Sequence, residues 1–272
     1  MRNHEESLGK FNLSPIIWAA LLVVLSSIGC QKSASSLQSA AELGDRKVAT
    51  EQVAAAEPLY GQREDLAKIR SALALLRQAK TADPESYDAA WKLARATYYL
   101  GEHTTNDSER DDLFLEGIEA GKAAIQIQPN KPDGHFWLGA NYGGKAEHGT
   151  LSSLSSVQDI SRQMEAVLKL DESYESGSAY MALGQLYLKA PRVLGGDTAK
   201  AIGFLEKGLT FGPKNALLRL RLAEGYEATN RDADARKQIE IILAMGPVPG
   251  YAPEQQDAIA GAKKLQEKIA AK

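Results

Sequence analysis

Residues Gly139-Ala-Asn-Tyr-Gly-Gly-Lys145 fit the spacing G-x-x-x-x-G-K, which in a phosphate-binding loop lets backbone N–H groups cradle a nucleotide. That chemistry needs a strand before the loop and a helix opening from it. Here the run begins inside an amphipathic helical pattern, no strand pattern precedes it, and Ala146 stands where a hydroxyl would hold Mg²⁺. Nucleotide binding is not expected. Beyond residue 30 there are three histidines, His103, His135 and His148. No two stand at i, i+4 and no H-E-x-x-H occurs, so the spacing of a zinc hydrolase is missing. His103 and His148 fall in or beside two polar inserts that stacking could bring together, as a metal site or simply as solvated loop side chains. His135 reads as a repeat-core residue with its polar edge satisfied. There is no G-x-S-x-G elbow, and the carboxylates are spread along polar faces with no pair set together as acid and base. The sequence predicts no enzyme and no cofactor.

The remaining reactive group is Cys30, the only cysteine in 272 residues. It has no disulfide partner in the chain, and a lone free thiol is unusual in an exported protein. Upstream lie Arg2 and Lys10, the apolar run Pro15 to Leu25, and Ser26-Ser27-Ile28-Gly29. A charged start, a short apolar core and small residues at the cut mark a secretory signal. Gly29-Cys30 resembles a bacterial lipobox, whose cysteine is acylated and becomes the mature N-terminus. Each buried methylene stabilises such an anchor by about 0.8 kcal/mol. Gln31 after the cysteine resembles an outer-membrane sorting signal of diderm bacteria. An ordinary signal peptide with a chance cysteine is the alternative. The expected layout is a signal peptide over 1–29, a Ser/Ala/Gln-rich tether over 30–45 and a folded domain over 46–272. The expected location is the periplasmic face of the outer membrane.

The elements that carry these residues are helices. Leu138-Gly139-x-x-Tyr142 recurs as Leu183-Gly184-x-x-Tyr187, and more weakly as Leu222-Ala223-x-x-Tyr226 and Leu93-Ala94-x-x-Thr97. This is the centre of the tetratricopeptide pattern W-x2-L-G-x2-Y, with His135 in the place of the Trp. The small residue lets the partner helix approach, and Leu with the large ring fills the space beside it. Leu66, Ile69, Leu73 and Leu76 give a further helix of period near 3.6, and Val48 with Val53 mark one side of a helix before it. Helices close at Asp83-Pro84, Pro129, Gly212-Pro213 and Gly246-Pro247. The last two prolines are 34 residues apart, the repeat period, while Pro84 and Pro129 are 45 apart. A polar insert over Glu102–Asp112 accounts for the excess, and a second insert covers Gly143–Ser156. About five helical hairpins result, followed by a capping helix from Pro253 to about Ala270. The fold class is an all-α solenoid without sheet, since one hairpin cannot bury its own apolar face. Hydrophobic residues make up 44% of the chain, which suffices for such a core, and the net charge of −3 gives no basic footprint for nucleic acid.

In such solenoids the first helix of each unit lines the concave groove through positions 2, 5, 9 and 12. Position 5 in successive units is Trp91, Phe136, Met181 and Leu220, with Arg95, Tyr98, Ala140, Gln185 and Leu188 around it. Apolar groups with a few polar anchors form a lining for an apolar or amphipathic ligand, or for a partner. The same column is plain core if the inserts or the terminal helices fill the groove.

Together the lipobox, the Gly134-His-Phe-Trp-Leu-Gly-Ala-Asn-Tyr142 phrase, the Leu194-Gly-Gly-Asp197 turn and the cryptic repeats resemble one family. It is the T-component family of tripartite ATP-independent periplasmic (TRAP) transporters, and the resemblance runs from about Arg46 to Leu243. It implies a helical lipoprotein with a hydrophobic groove or pore, a homotrimer, and contact with a periplasmic substrate-binding protein. It further implies handling of a small apolar ligand for import. It carries over to Cys30 and to the lining at Trp91, Phe136 and Met181. The alternative function is a protein–protein interaction scaffold of the bacterial cell envelope.

Overall fold

The computed structural model describes residues 42–148 and 154–272. The expected signal peptide, Cys30 and most of the expected tether lie outside these residues. The chain divides into a unit ending at Lys47 and a second unit, Val48–Lys272. Residues 42–47 are helical, so 42–45, expected as the end of the tether, are already regular. Ala41 to Leu43 favour a helix by propensity, which explains the difference.

The second unit is built from helices throughout, with no strand among the described residues. Helix α1 covers 48–60, followed by α2 (Leu66–Ala82), α3 (Tyr87–His103), α4 (Asp107–Ile127), α5 (Pro132–His148) and α6 (Leu154–Leu170). Then come α7 (Tyr174–Lys189), a short 3₁₀ turn at Arg192–Leu194, α8 (Thr198–Phe211), α9 (Ala216–Ala228), α10 (Asp232–Leu243) and α11 (Ala252–Ala270). Pairing α1 with α2, α3 with α4 and so on yields the five expected hairpins plus a cap. Odd helices pack on the next odd helix (α3 on α5, α5 on α7, α7 on α9, α9 on α11), while no two even helices do so among the described residues. The odd helices therefore form the inner, concave layer.

The repeat glycines perform the close approach their position predicts. A Cβ on Gly139 would lie 2.5 Å from Met164 Cε, and one on Gly184 would lie 2.4 Å from Leu205 Cγ. Met164, Leu183 and Leu205 are fully buried at these crossings. Helix starts are capped by side chains that accept the orphan N–H groups: Ser86 from Ala89, Asn106 from Glu109, Asp197 from Lys200 and Asn215 from Leu218. In α1 the buried stripe is Ala49, Val53 and Ala56, and Val48 is exposed.

The two inserts are mostly helix. α3 continues past Gly101 to His103, and α4 starts at Asp107, so the irregular part of Glu102–Asp112 is short. α5 likewise runs through Gly143 and Gly144 to His148. One ring explains both extensions. Phe114, fully buried, lies against Gly101 and Gly144, where added Cβ atoms would sit 2.7 and 2.4 Å from its Cε1. These glycines keep the helical state because a large ring occupies the space a side chain would need. Asn106 and the acidic first turn, Asp107 and Glu109, then start α4 early.

At the head of α7, Glu175, Ser176 and Gly177 are left-handed, with φ of 46°, 56° and 78°, before the regular helix resumes. For non-glycine residues this costs about 1–3 kcal/mol each. The turn brings the backbones of α7 and α8 together: a Cβ on Gly177 would lie 2.6 Å from the Gly208 carbonyl oxygen. Asn215 Nδ2 donates to the Ser176 carbonyl at 3.2 Å, and Tyr251 Oη donates to Glu175 at 2.5 Å. These contacts hold the strained segment.

Candidate functional site on the concave face

The expected groove residues divide into two groups. Phe136 is buried, edge-on to Trp137 with ring centroids 5.0 Å apart and 5.2 Å from Tyr174. Leu220 is buried beneath α11, where a Cβ on Gly261 would come within 2.5 Å of its Cδ2. Both are core. Trp91, Arg95, Tyr98, Ala140, Met181, Gln185 and Leu188 remain half-buried. Met181 and Leu188 pack on the core formed by α8 to α11. Trp91 Nε1 donates to Asp88 at 3.0 Å, and Gln185 Nε2 donates to Glu147 at 3.3 Å.

The half-buried group is organised by charge. Arg95 stacks over the Tyr60 ring at 3.8 Å and over Trp91 at 4.9 Å, and pairs with Glu57 at 2.7 Å. Lys92 reaches the same carboxylate at 3.0 Å and lies 5.2 Å from Trp91. Two cations on one turn of α3 thus form a carboxylate seat, filled by α1. A second seat lies beside it. Arg63, only 5% exposed, sits 5.0 Å over Tyr60 and 5.5 Å over Tyr99. Its guanidinium donates to both oxygens of Glu254, at 2.7 and 2.5 Å from one nitrogen, and to the Gly250 carbonyl at 2.9 Å. Desolvation pushes the Tyr60 phenol up to about 12, and the same cause raises Tyr99 to about 12. Both rings therefore stay neutral and present π faces to the cations. Sequence reasoning passed over Lys92, Glu57, Arg63 and Glu254. The spacing Trp91-Lys92-x-x-Arg95-x-x-Tyr98 carries one helical face of mixed aromatic and basic groups and was the available signal.

A polar cluster closes the C-terminal ends of the odd helices. Lys189 of α7 pairs with Glu147 of α5 at 2.5 Å, and His148 Nε2 lies 3.8 Å from Glu102 of α3. His103 Nε2 lies 3.7 Å from Asp257 of α11, while its ring stacks on Tyr99 at 4.1 Å. Burial raises the Glu102 carboxyl and Glu147 adds to this, against the lowering effects of His148, His103 and Lys189. His103 and His148 therefore stand on helix ends near the half-buried Glu102 carboxyl. Among the described residues no three His, Cys, Asp or Glu side chains are grouped to hold a metal ion. His135 bridges Gln163 at 2.8 Å and the Pro129 carbonyl at 3.0 Å, so both ring nitrogens are engaged. The stretch Gly139–Lys145 lies wholly inside α5, and its amides belong to the helix.

Two clefts border these features. One of about 210 Å³ lies where α11 begins, among Ser176, Phe211, Val248, Tyr251, Glu254 and Gln255. A wider one of about 520 Å³ lies between α2 and α4, but its rim is paired already, Arg70 with Glu109 and Arg77 with Glu116.

Comparison with known proteins bears on the inner layer directly. The sequence profile of the family described as regulator of microtubule dynamics protein 1-3 matches residues 53–189, half of the 272-residue chain. The chain belongs to this family. The shared segment starts inside α1 and ends with α7, so it contains Glu57, Arg63, Lys92, Arg95, Glu102, Glu147 and Lys189. Within the family, regulator of microtubule dynamics protein 3 of Rattus norvegicus is 22% identical over 184 residues, 61% of this chain. That match spans 39% of the length of the rat protein. Among solved structures, a thermophilic tetratricopeptide protein of Thermus thermophilus is similar with a TM-score of 0.58 at 19% identity. The match covers 84% of this chain and all of the Thermus one. PilF of Pseudomonas aeruginosa is similar with a TM-score of 0.55 at 18% identity, again over 84% and 100%. These likenesses establish a tetratricopeptide-like helical solenoid.

Proposed function

We propose that the chain is a non-enzymatic protein-interaction scaffold, lipid-anchored through Cys30, that receives a segment of another envelope protein on its concave face. The observation that carries this reading is the pair of cation–aromatic seats, Lys92 with Arg95 and Arg63 with Tyr60 and Tyr99, each holding a carboxylate. Such seats recognise side chains by charge and ring geometry and transfer no group. Solenoids present extended concave surfaces of this kind to protein ligands. The rat relative's role in microtubule dynamics is not carried over, because the shared segment is a minor part of that protein.

A second reading, in transport, draws on the half-buried Trp91, Tyr98, Met181 and Leu188 and on the resemblance to TRAP T-components. In it the groove handles a small apolar ligand, the partner is a periplasmic substrate-binding protein, and the chain is a homotrimer on the outer membrane. The scaffold reading ranks first because Lys92, Arg95 and Arg63 place charge beside these rings.

The test is site-specific photo-crosslinking in the anchored full-length chain. A crosslinker replacing Gln185, on the inner layer, should capture a defined protein. The same group replacing Glu119, whose side chain is 73% exposed on α4, should not. Identical capture from both positions, or none from position 185, overturns the reading. An apolar adduct in native mass spectrometry, with no captured protein, moves the assignment to transport.

A further inference from the structure

Helix α11 supplies the carboxylate in the Arg63 seat, and it reaches that seat from 191 positions away. Its docking face is narrow. Ala258, Ala262, Leu265 and Ile269 are buried against α9 and α10, and Gly261 lets Leu220 close on the backbone. Polar contacts do the rest. Glu254 meets Arg63, Asp257 meets His103, and Lys268 and Lys272 meet Glu227 at 2.8 and 2.7 Å. The strap before it, Gly246-Pro-Val-Pro-Gly250, is fastened by Gln255, whose Oε1 accepts from Val248 N–H at 3.0 Å. Gln255 Nε2 donates to the Gly246 carbonyl at 2.9 Å. The cleft of about 210 Å³ lies between this strap, the start of α11 and the α8–α9 connection, so the space beside the strap is incompletely filled.

A helix held by small residues and a few ion pairs, at the end of a short tether, is a ligand attached in cis. The family match ends at residue 189, before α8, so the Arg63 seat lies in the shared segment and its occupant lies outside it. We propose that α11 is an intramolecular competitor, and that the seat it covers accepts in trans an amphipathic helix of the same chemistry. That chemistry is a carboxylate in the first helical turn, for Arg63 between Tyr60 and Tyr99. It continues with small residues four, seven and eight positions later, for Leu220 and α9, and a Leu at the eleventh. The spacing is read from Glu254, Ala258, Gly261, Ala262 and Leu265. This inference deepens the scaffold reading and rests on it, naming the partner class and its regulation. A short tether gives a cis ligand an effective concentration near the millimolar range. A free helix of equal intrinsic affinity then binds weakly until the cis helix is released, and each tenfold loss in cis docking returns up to tenfold in trans.

The experiment uses the full chain and a fluorescent peptide of residues 252–272. Glu254→Arg places like charge on Arg63 and leaves the seat intact. Hydrogen exchange should show lost protection confined to α11, and peptide anisotropy should show at least tenfold tighter binding than to the unaltered chain. A peptide carrying Glu254→Arg should not bind, and Arg63→Ala in the chain should remove binding of the unaltered peptide. Released α11 with no gain in peptide binding overturns the proposal, as does α11 protection that survives Glu254→Arg. Both results leave the crosslinking test of the scaffold reading untouched, so the two can fail separately.

Discussion

Gly117 and Gly203 provide opposite tests of one substitution. Replacing a helical glycine by alanine gains about 1 kcal/mol when the site is open, because glycine has more backbone freedom to lose. Gly203 in α8 has nothing within 4 Å of where a Cβ would sit, and it is exposed. Gly203→Ala should stabilise by about 0.5–1 kcal/mol. Gly117 in α4 is buried beneath a polar layer between α3 and α5. A Cβ there would lie 2.1 Å from Asn141 Oδ1 and 2.5 Å from Thr97 Oγ1. Asn141 is fully buried and donates from Nδ2 to the Ala94 carbonyl at 2.9 Å and to the Trp137 carbonyl at 2.7 Å. Thr97, also fully buried, bonds back to Leu93 at 3.0 Å. Neither can swing into solvent. Overpacking costs about 1–3 kcal/mol, and a buried polar group displaced from its partner costs about 1–3 more. Against a propensity gain of about 1 kcal/mol, Gly117→Ala should lose about 1–5 kcal/mol net. Urea unfolding followed at 222 nm reads both through the midpoint, which avoids assuming two-state behaviour in a repeat protein. Midpoints that move in the same direction would refute the steric argument, because only the surroundings of the two glycines differ.

Two further outcomes follow from the groups already described. Glu102 is a carboxyl raised by burial and by Glu147, so the folded chain holds its proton to higher pH than the unfolded chain. Its ionisation costs stability as pH rises through the folded value. Glu102→Gln should therefore raise the urea midpoint at pH 7, and the gain should vanish as pH falls below the ordinary carboxylate range. An equal gain at both pH values would mean that desolvation of the charge is not the cause. Cys30→Ser, by contrast, should move the full chain from the membrane pellet to the soluble fraction, and unchanged fractionation would remove the anchor from the proposal.

Much of the solenoid was legible because its signals are local. Leu138-Gly139-x-x-Tyr142 and its copies fix a crossing of adjacent helices, and the Leu194-Gly-Gly-Asp197 turn ends at the residue that caps α8. The hairpin count and the terminal cap follow from the same periodicity. Glycines misled where their neighbours are distant in sequence. Gly101 stands just before one expected insert and Gly144 inside the other, but Phe114 packs on both and the helices run on. The left-handed turn at Glu175-Ser176-Gly177 left no sequence signal beyond one glycine, because its cause is the backbone of α8. The apolar column was sought at one register position, and that position proved to mix core (Phe136, Leu220) with accessible residues (Trp91, Met181). The Arg63–Glu254 pair spans 191 positions, and no periodicity relates two charges that far apart.

The placement of charge also bears on the exchange of occupants proposed at Arg63. An apolar seam with small residues is tolerant of any helix of the right shape, and it alone would give affinity with little choice. A buried guanidinium is different, because leaving it without a carboxylate costs several kcal/mol. Arg63, flanked by Tyr60 and Tyr99 and 5% exposed, is therefore costly to leave without an acidic partner. Lys92 and Arg95 impose the same demand on α1 through Glu57. Each terminal helix of the unit is thus held by a carboxylate, and the proposed partner helix supplies the one at Arg63. At such a seat selectivity comes from the charge that must be matched.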